Sequence, residues 1–322
     1  TVEAPGFEAI DLQHLYRGVG VLSDLRESLE KQLYLHDRDL FNQTLDLVFM
    51  DTTSTYMYRD METPFWKRGH SRDHRSDLPQ VILAIVVDRQ GWPIAWEVMP
   101  GNRADNKAFR ELIRLLRRRF QIGRVIAVAD RGMVSEENLE LLTEDSESPL
   151  DYIVGCRMRK QKEVTEEVLS RGGRYHEVSQ KLKVKEVEVK GHRYVVCLNE
   201  EEAKKDKVAR ESMVRALEEK LAKGGPKLLV GNRGYARFLK AERGALKINY
   251  EAVKRDERMD GKFVLRTTTD LSAEEVAQTY KGLWRVERTF REQKSTLQIR
   301  PIYHQRDRQC VGHIVASFLA LR

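Results

Sequence analysis

The sequence predicts an α/β protein in which a mixed sheet flanked by helices is interrupted by a β-rich insertion ahead of a last long helix. Three observations predict it. Strand-length apolar runs and amphipathic helices follow one another as βββαβαβ up to Gly155. From about Arg157 to Gly261 short alternating stretches surround a charge-rich helix. A long amphipathic helix, Ala273 to Thr296, then closes the pattern.

In chain order, Val19 to Leu29 returns apolar residues at helical spacing. Residues 1–44 are therefore read as a helical lead-in. Leu45 to Met50, Val81 to Val87 and Pro93 to Val98 are strands, the last two joined by the turn Asp88-Arg89-Gln90-Gly91. A helix over Asn106 to Phe120 carries Phe109, Leu112, Ile113 and Leu116 on one face and basic residues opposite. A strand at Val125 to Ala129, a Ser-capped helix at Ser135 to Leu142 and a strand at Tyr152 to Gly155 complete the first part of the core, residues 45–157. The insertion, residues 158–262, holds strands at Val184 to Val189 and Tyr194 to Leu198, a helix from Glu200 to Lys223, and a turn-rich stretch from Gly224 to Gly234. Residues 263–322 return to the core with a strand at Phe263 to Thr267 and the last helix.

Composition narrows the class. At 322 residues and 41% apolar, the chain can build a large core. Cys156, Cys197 and Cys310 are far apart, which gives neither a disulfide framework nor a zinc knuckle and points to an intracellular, cytoplasmic protein. The longest apolar run, Val81 to Val87, is far short of the roughly 20 residues that span a bilayer. Lysine and arginine exceed the acids 57 to 50, a net +7 that favours a polyanionic partner such as nucleic acid.

The candidate chemistry lies in three carboxylates. Asp51 and Asp130 each follow an apolar run and are read as strand ends that project into a crevice, where sheet-based folds place functional groups. A strand-terminal Asp also caps the next turn through its own backbone, so either acid alone has a structural reading. Glu287 falls in the stripe of Val276, Tyr280, Leu283, Trp284, Phe290 and Leu297, where a core-facing side chain is expected. A buried carboxylate needs a cation, either Arg291 or Lys294 on the same helix or a metal. Three converging acids would hold two Mg²⁺ or Mn²⁺ ions and leave positions for water and phosphate, the arrangement of two-metal phosphoryl transfer.

Asp51-Thr52-Thr53, then Ala129-Asp130-Arg131-Gly132, then Tyr280 with Glu287 and Lys294 together resemble the DDE transposases of bacterial insertion sequences. The relevant branch carries a Y-x2-R-x3-E-x6-K signature after a strand-rich insertion. Leu283 stands where that signature has Arg, and Arg285 or Arg288 is then the nearby substitute. The resemblance covers the chain from about Asp46 onward. It implies an RNase H-like fold, Mg²⁺ dependence, cleavage at transposon ends with transfer of the 3′ hydroxyl into target DNA, and a homodimer on paired double-stranded ends. It also implies that Tyr280 and Lys294 hold phosphates. An RNase H-like nuclease or resolvase without strand transfer, and a non-cutting domesticated DNA-binding protein, are the alternatives.

Two basic stretches are candidate DNA contacts. Lys67, Arg68, His70, Arg72, His74 and Arg75 form a loop beside Trp66, and Arg300, His304, Arg306 and Arg308 follow the last long helix. Arg131, Arg285, Arg288 and Arg291 add charge near the acids, and Trp284 could stack on an exposed base. Each also has a bland reading as a solvated or packed side chain, and His313 is read as packed.

Overall fold

The computed structural model describes residues 10–41, 46–119, 125–133, 135–143, 150–223, 233–242 and 245–322, with the backbone alone at 37–41, 117–119, 141 and 233. Most of the turn-rich stretch from Gly224 to Gly234 lies outside the described residues. The chain divides into two compact units, Thr1–Val154 with Gln278–Arg322, and Gly155–Ala277.

The first unit begins with helices α1 (Leu12–Asp24) and α2 (Arg26–Phe41), and then follows β1 (Leu47–Tyr56), β2 (Gln80–Val87), β3 (Pro93–Pro100), α3 (Asp105–Arg119), β4 (Ile126–Ala129), α4 (Glu136–Thr143) and β5 (Asp151–Gly155). This is the expected βββαβαβ order. The strands lie side by side as β3-β2-β1-β4-β5, antiparallel over the first three and parallel from β1 to β5. Mixed pairing of this kind needs the α3 and α4 crossovers for its parallel half, and the chain supplies both. The architecture is the RNase H-like mixed sheet.

Burial follows from the pattern. All eight residues of β2 are buried, as its continuous apolar run requires of a strand covered on both faces. On one face Phe109, Leu112, Ile113 and Leu116 of α3 pack with Val48, Met50, Ala84 and Val86. Burying each such side chain contributes roughly 1.5–3 kcal/mol. On the other face Trp96 stacks on Phe318 at 4.7 Å. Between β2 and β3 the Asp88 carboxylate accepts from the backbone N–H groups of Gln90, Gly91 and Trp92, and Gly91 takes φ 98°.

The last helices are α7 (Ala273–Lys281), α8 (Trp284–Ser295) and α9 (Asp307–Ala320), which in the chain follow α5 (Glu200–Ala222) and α6 (Tyr250–Glu257) of the second unit. The expected single helix from Ala273 to Thr296 is therefore broken at Gly282-Leu283. A Cβ at Gly282 would stand 2.4 Å from the Phe49 ring, so the chain needs glycine there to lie against β1.

The second unit carries an antiparallel order β11-β8-β7-β6, with β6 (His176–Ser179), β7 (Leu182–Val189), β8 (His192–Leu198) and β11 (Lys262–Thr267). A separate hairpin pairs β9 (Leu239–Glu242) with β10 (Ala245–Ile248). Its helices are α5 (Glu200–Ala222) and α6 (Tyr250–Glu257), preceded by a π-helical turn at Glu163–Val168. Asn199 caps α5 by accepting from the N–H groups of Glu201 and Glu202. Only Arg210 and Leu217 of α5 are buried, which accounts for its charge-rich sequence. Among the described residues no helix is long and apolar enough to cross a membrane.

Candidate active site

Asp51 is not at a strand end. It lies mid-strand in β1, opposite Ile85 of β2. What ends there is the neighbour: β4 pairs with β1 only from Leu47 to Met50, with Met50 opposite Ala129. Asp51 and Asp130 are thus the next residues on two parallel strands about 4.8 Å apart, one on the strand and one where its partner leaves it. The sequence reading failed on Asp51 because the polar run Thr52 to Thr55 looks like a loop, although those four residues are buried.

Asp51 shares its face of β1 with Phe49, which meets Gly282 and lies 5.5 Å beneath the Arg285 guanidinium. Asp51 therefore faces the helices that carry Tyr280 and Glu287. Its carboxylate accepts from the Thr52 N–H at 2.7 Å and lies 3.6 Å from Arg72. Burial pushes its carboxyl up to about 6, opposed by Arg72 and the Thr52 N–H and reinforced by the charges of Asp130 and Asp105. Asp130 is exposed and accepts from the Tyr280 hydroxyl at 3.0 Å.

Arg72 is the centre of this cluster of acids. Besides Asp51, its guanidinium donates to the Thr52 carbonyl, to Thr52 Oγ1 at 2.9 Å and to both oxygens of Asp105 at 3.3 Å. Thr52 Oγ1 in turn donates to Asp105 at 2.8 Å. Sequence reasoning missed Asp105, whose signal was only an acid in the first turn of α3, and assigned Arg72 to DNA rather than to the acids.

Glu287 departs from expectation. It is exposed, because the break at Gly282 resets the helical phase, and Tyr280 on α7 no longer shares a continuous face with Glu287 and Lys294 on α8. Its carboxylate takes no partner among the described residues, and neither Arg291 nor Lys294 pairs with it. Among the described residues no three His, Cys, Asp or Glu side chains lie close enough together to hold a metal ion. Asp51 and Asp130 fit a hard divalent cation in donor chemistry and placement, and the partly buried charge of Asp51 is what such a cation would satisfy. Glu287 lies exposed on α8, outside any such cluster among the described residues.

Lys294 is not free for phosphate. Its ammonium, 14% exposed, donates to Asp73 at 2.9 Å, and Arg300 pairs with the same carboxylate, itself 5% exposed. Burial and the charge of Arg72 pull Lys294 down to about 8, while the Asp73 pair works against them. Much of the basic loop is likewise held by acids: Lys67 and Arg68 by Glu62 at 3.5 Å, and Arg75 by Asp77 at 2.8 Å. His70 and His74 are exposed, and the adjacent Trp66 is fully buried. Arg288 pairs with Glu292 at 2.7 Å, and Trp284 is half exposed with Arg285 against its ring at 5.2 Å. Arg131 and Arg291 are exposed, His304 lies edge-on to Tyr16 and His313, and Arg308 pairs with Asp24.

A family model described as a transposase DDE domain matches residues 42–322. Among solved structures, a piggyBac transposase in a synaptic complex with hairpin DNA superposes over 99% of this chain and 66% of that one, with a TM-score of 0.50 and 9% identity. That likeness is one of fold, and the chain spans just under two thirds of the transposase it matches. A Mos1 transposase in a paired-end complex with the left transposon end matches over 44% of each chain, with 18% identity and a TM-score of 0.20. Comparison with curated proteins gave no match. The family match takes in β1, β4 and the helices bearing Tyr280, Glu287 and Lys294, and the chain belongs to the DDE transposase family.

Proposed function

We propose that the chain is the catalytic part of a DNA transposase that cuts double-stranded transposon ends and transfers the 3′ hydroxyl into target DNA, as a homodimer on paired ends, in the cytoplasm at the nucleoid. The observation that carries this is the pair Asp51 and Asp130, each the next residue after the last register pair of β1 and β4, with the partly buried Asp51 charge met among the described residues by Arg72 and one backbone N–H. Asp51 and Asp130 are the ligands for Mg²⁺ or Mn²⁺, and Glu287 is assigned as the third from its place in the signature and its free carboxylate.

Bound divalent ions supply charge stabilisation for in-line phosphoryl transfer. The chain's own residues orient the rest. Tyr280 fixes the Asp130 carboxylate through its hydroxyl, and the Thr52 N–H fixes that of Asp51. Arg72, hinged on Asp105 and Thr52, keeps a positive charge beside the acids where a phosphate must approach. The second unit is proposed as the strand-rich insertion of the family. The test is cleavage and end joining on DNA carrying the ends of the element that encodes the chain. Glu287→Gln should bind those ends without nicking them, and nicking at the wild-type rate would defeat the assignment.

A further inference from the structure

We infer that the second unit has its own nucleotide site, in a cavity of about 380 Å³ between the π-helical turn and α6. That volume is in the range of roughly 300–1,000 Å³ usual for small-ligand sites. The floor is apolar and buried, made by Phe238 and Met259. The rim is basic and exposed: Arg159, Lys160, Lys162, Arg237 and Arg255, against Glu166 and Asp256.

The rim is built rather than merely charged. Asp256, a buried acid, takes Arg159 Nε on one oxygen at 2.9 Å and Arg237 on the other at 3.4 Å. Each guanidinium is thereby fixed by one edge and keeps further N–H donors for a ligand. Arg237 also lies over the Phe238 ring at 4.5 Å, which holds it at the boundary between floor and rim. Lys160, Lys162 and Arg255 have no carboxylate partner among the described residues. The wall at Glu163–Val168 is π-helical, a rare geometry concentrated at functional sites.

Fixed guanidiniums and unpaired cationic side chains above a buried apolar wall match a phosphate joined to a weakly polar ring that lies against the rim. A nucleotide of an unpaired DNA strand has that chemistry. The inference extends the proposed action on DNA but does not use the carboxylates of the first unit.

The test uses the full chain with ¹³C-methyl methionine, in EDTA so that no cleavage occurs, with the Met259 signal assigned by Met259→Leu. Thymidine 5′-monophosphate and a short single-stranded oligonucleotide should shift the Met259 methyl. Lys160→Glu, Lys162→Glu and Arg255→Glu together should weaken oligonucleotide binding at least tenfold and reduce its salt slope by about 2, as expected for three lost single-strand phosphate contacts. An unmoved Met259 signal, or a folded triple variant that binds as tightly as wild type, would overturn the site. An equal shift with inorganic phosphate alone would overturn the nucleotide assignment. None of these readouts depends on cleavage, so the site and the transposase reading can fail separately.

Discussion

Asp51 and Asp73 are both acids drawn out of solvent beside arginine, and they are held in opposite ways. Asp73 has two cations, Lys294 and Arg300, on its 5%-exposed carboxylate. Asp51 has one guanidinium, at 3.6 Å and shared with Asp105, while Asp130 adds negative charge beside it. The difference is one of compensation. Asp73 ties the basic loop to α8 and to the segment that follows it, whereas Asp51 has no second cation beside it among the described residues.

The largest expected effect is on chemistry. Asp51→Asn or Asp130→Asn should lower end cleavage by about a thousandfold or more, on the order of 4 kcal/mol of lost barrier reduction, with DNA binding kept. Asp73→Asn should instead act on stability, because it leaves Lys294 and Arg300 facing each other without an acid. Chemical denaturation should show a loss of about 3–5 kcal/mol, and near-wild-type stability would remove the contrast between the two acids.

Protonation sharpens the contrast further. Folding pushes the Asp51 carboxyl up from 3.8 to about 6, so the native chain holds that proton more tightly than the unfolded one. In metal-free buffer the stability present below about pH 4 is lost as pH rises toward 6, by about 1–3 kcal/mol. Asp51→Asn should flatten the denaturation profile across that window, and an unchanged slope would contradict the account. A loss of similar size is expected at Gly282→Ala, where the added methyl meets Phe49. About 1–3 kcal/mol should be lost, and cleavage should fall as α8 is displaced.

The sheet and its crossovers were legible because apolar periodicity is a local signal, and β1 to β5 with α3 and α4 follow it closely. Asp51 and Asp130 were legible as acids after apolar runs. Burial of Thr52 to Thr55 was not, since the groups that meet Thr52 and Ser54, Asp105 and the Arg72 loop, are brought in by the fold and not by any local pattern. The phase of Glu287 failed at a single glycine, whose role depends on Phe49 across the fold. Arg72 and Asp73 were hidden in a run of like charge. Which of its members would be turned inward depended on Asp51, Asp105, Lys294 and Arg300, all distant in sequence.

The most direct measurement is Mn²⁺ binding by electron paramagnetic resonance at pH 7.5, on the wild-type chain and on Asp51→Asn, Asp130→Asn, Glu287→Gln and Asp73→Asn. Wild type should take up Mn²⁺, the Asp51 and Asp130 variants should lose it, Glu287→Gln should weaken it, and any folded Asp73→Asn should retain it. Equal uptake by wild type and Asp51→Asn, or none by wild type, would contradict a cation site built on this pair.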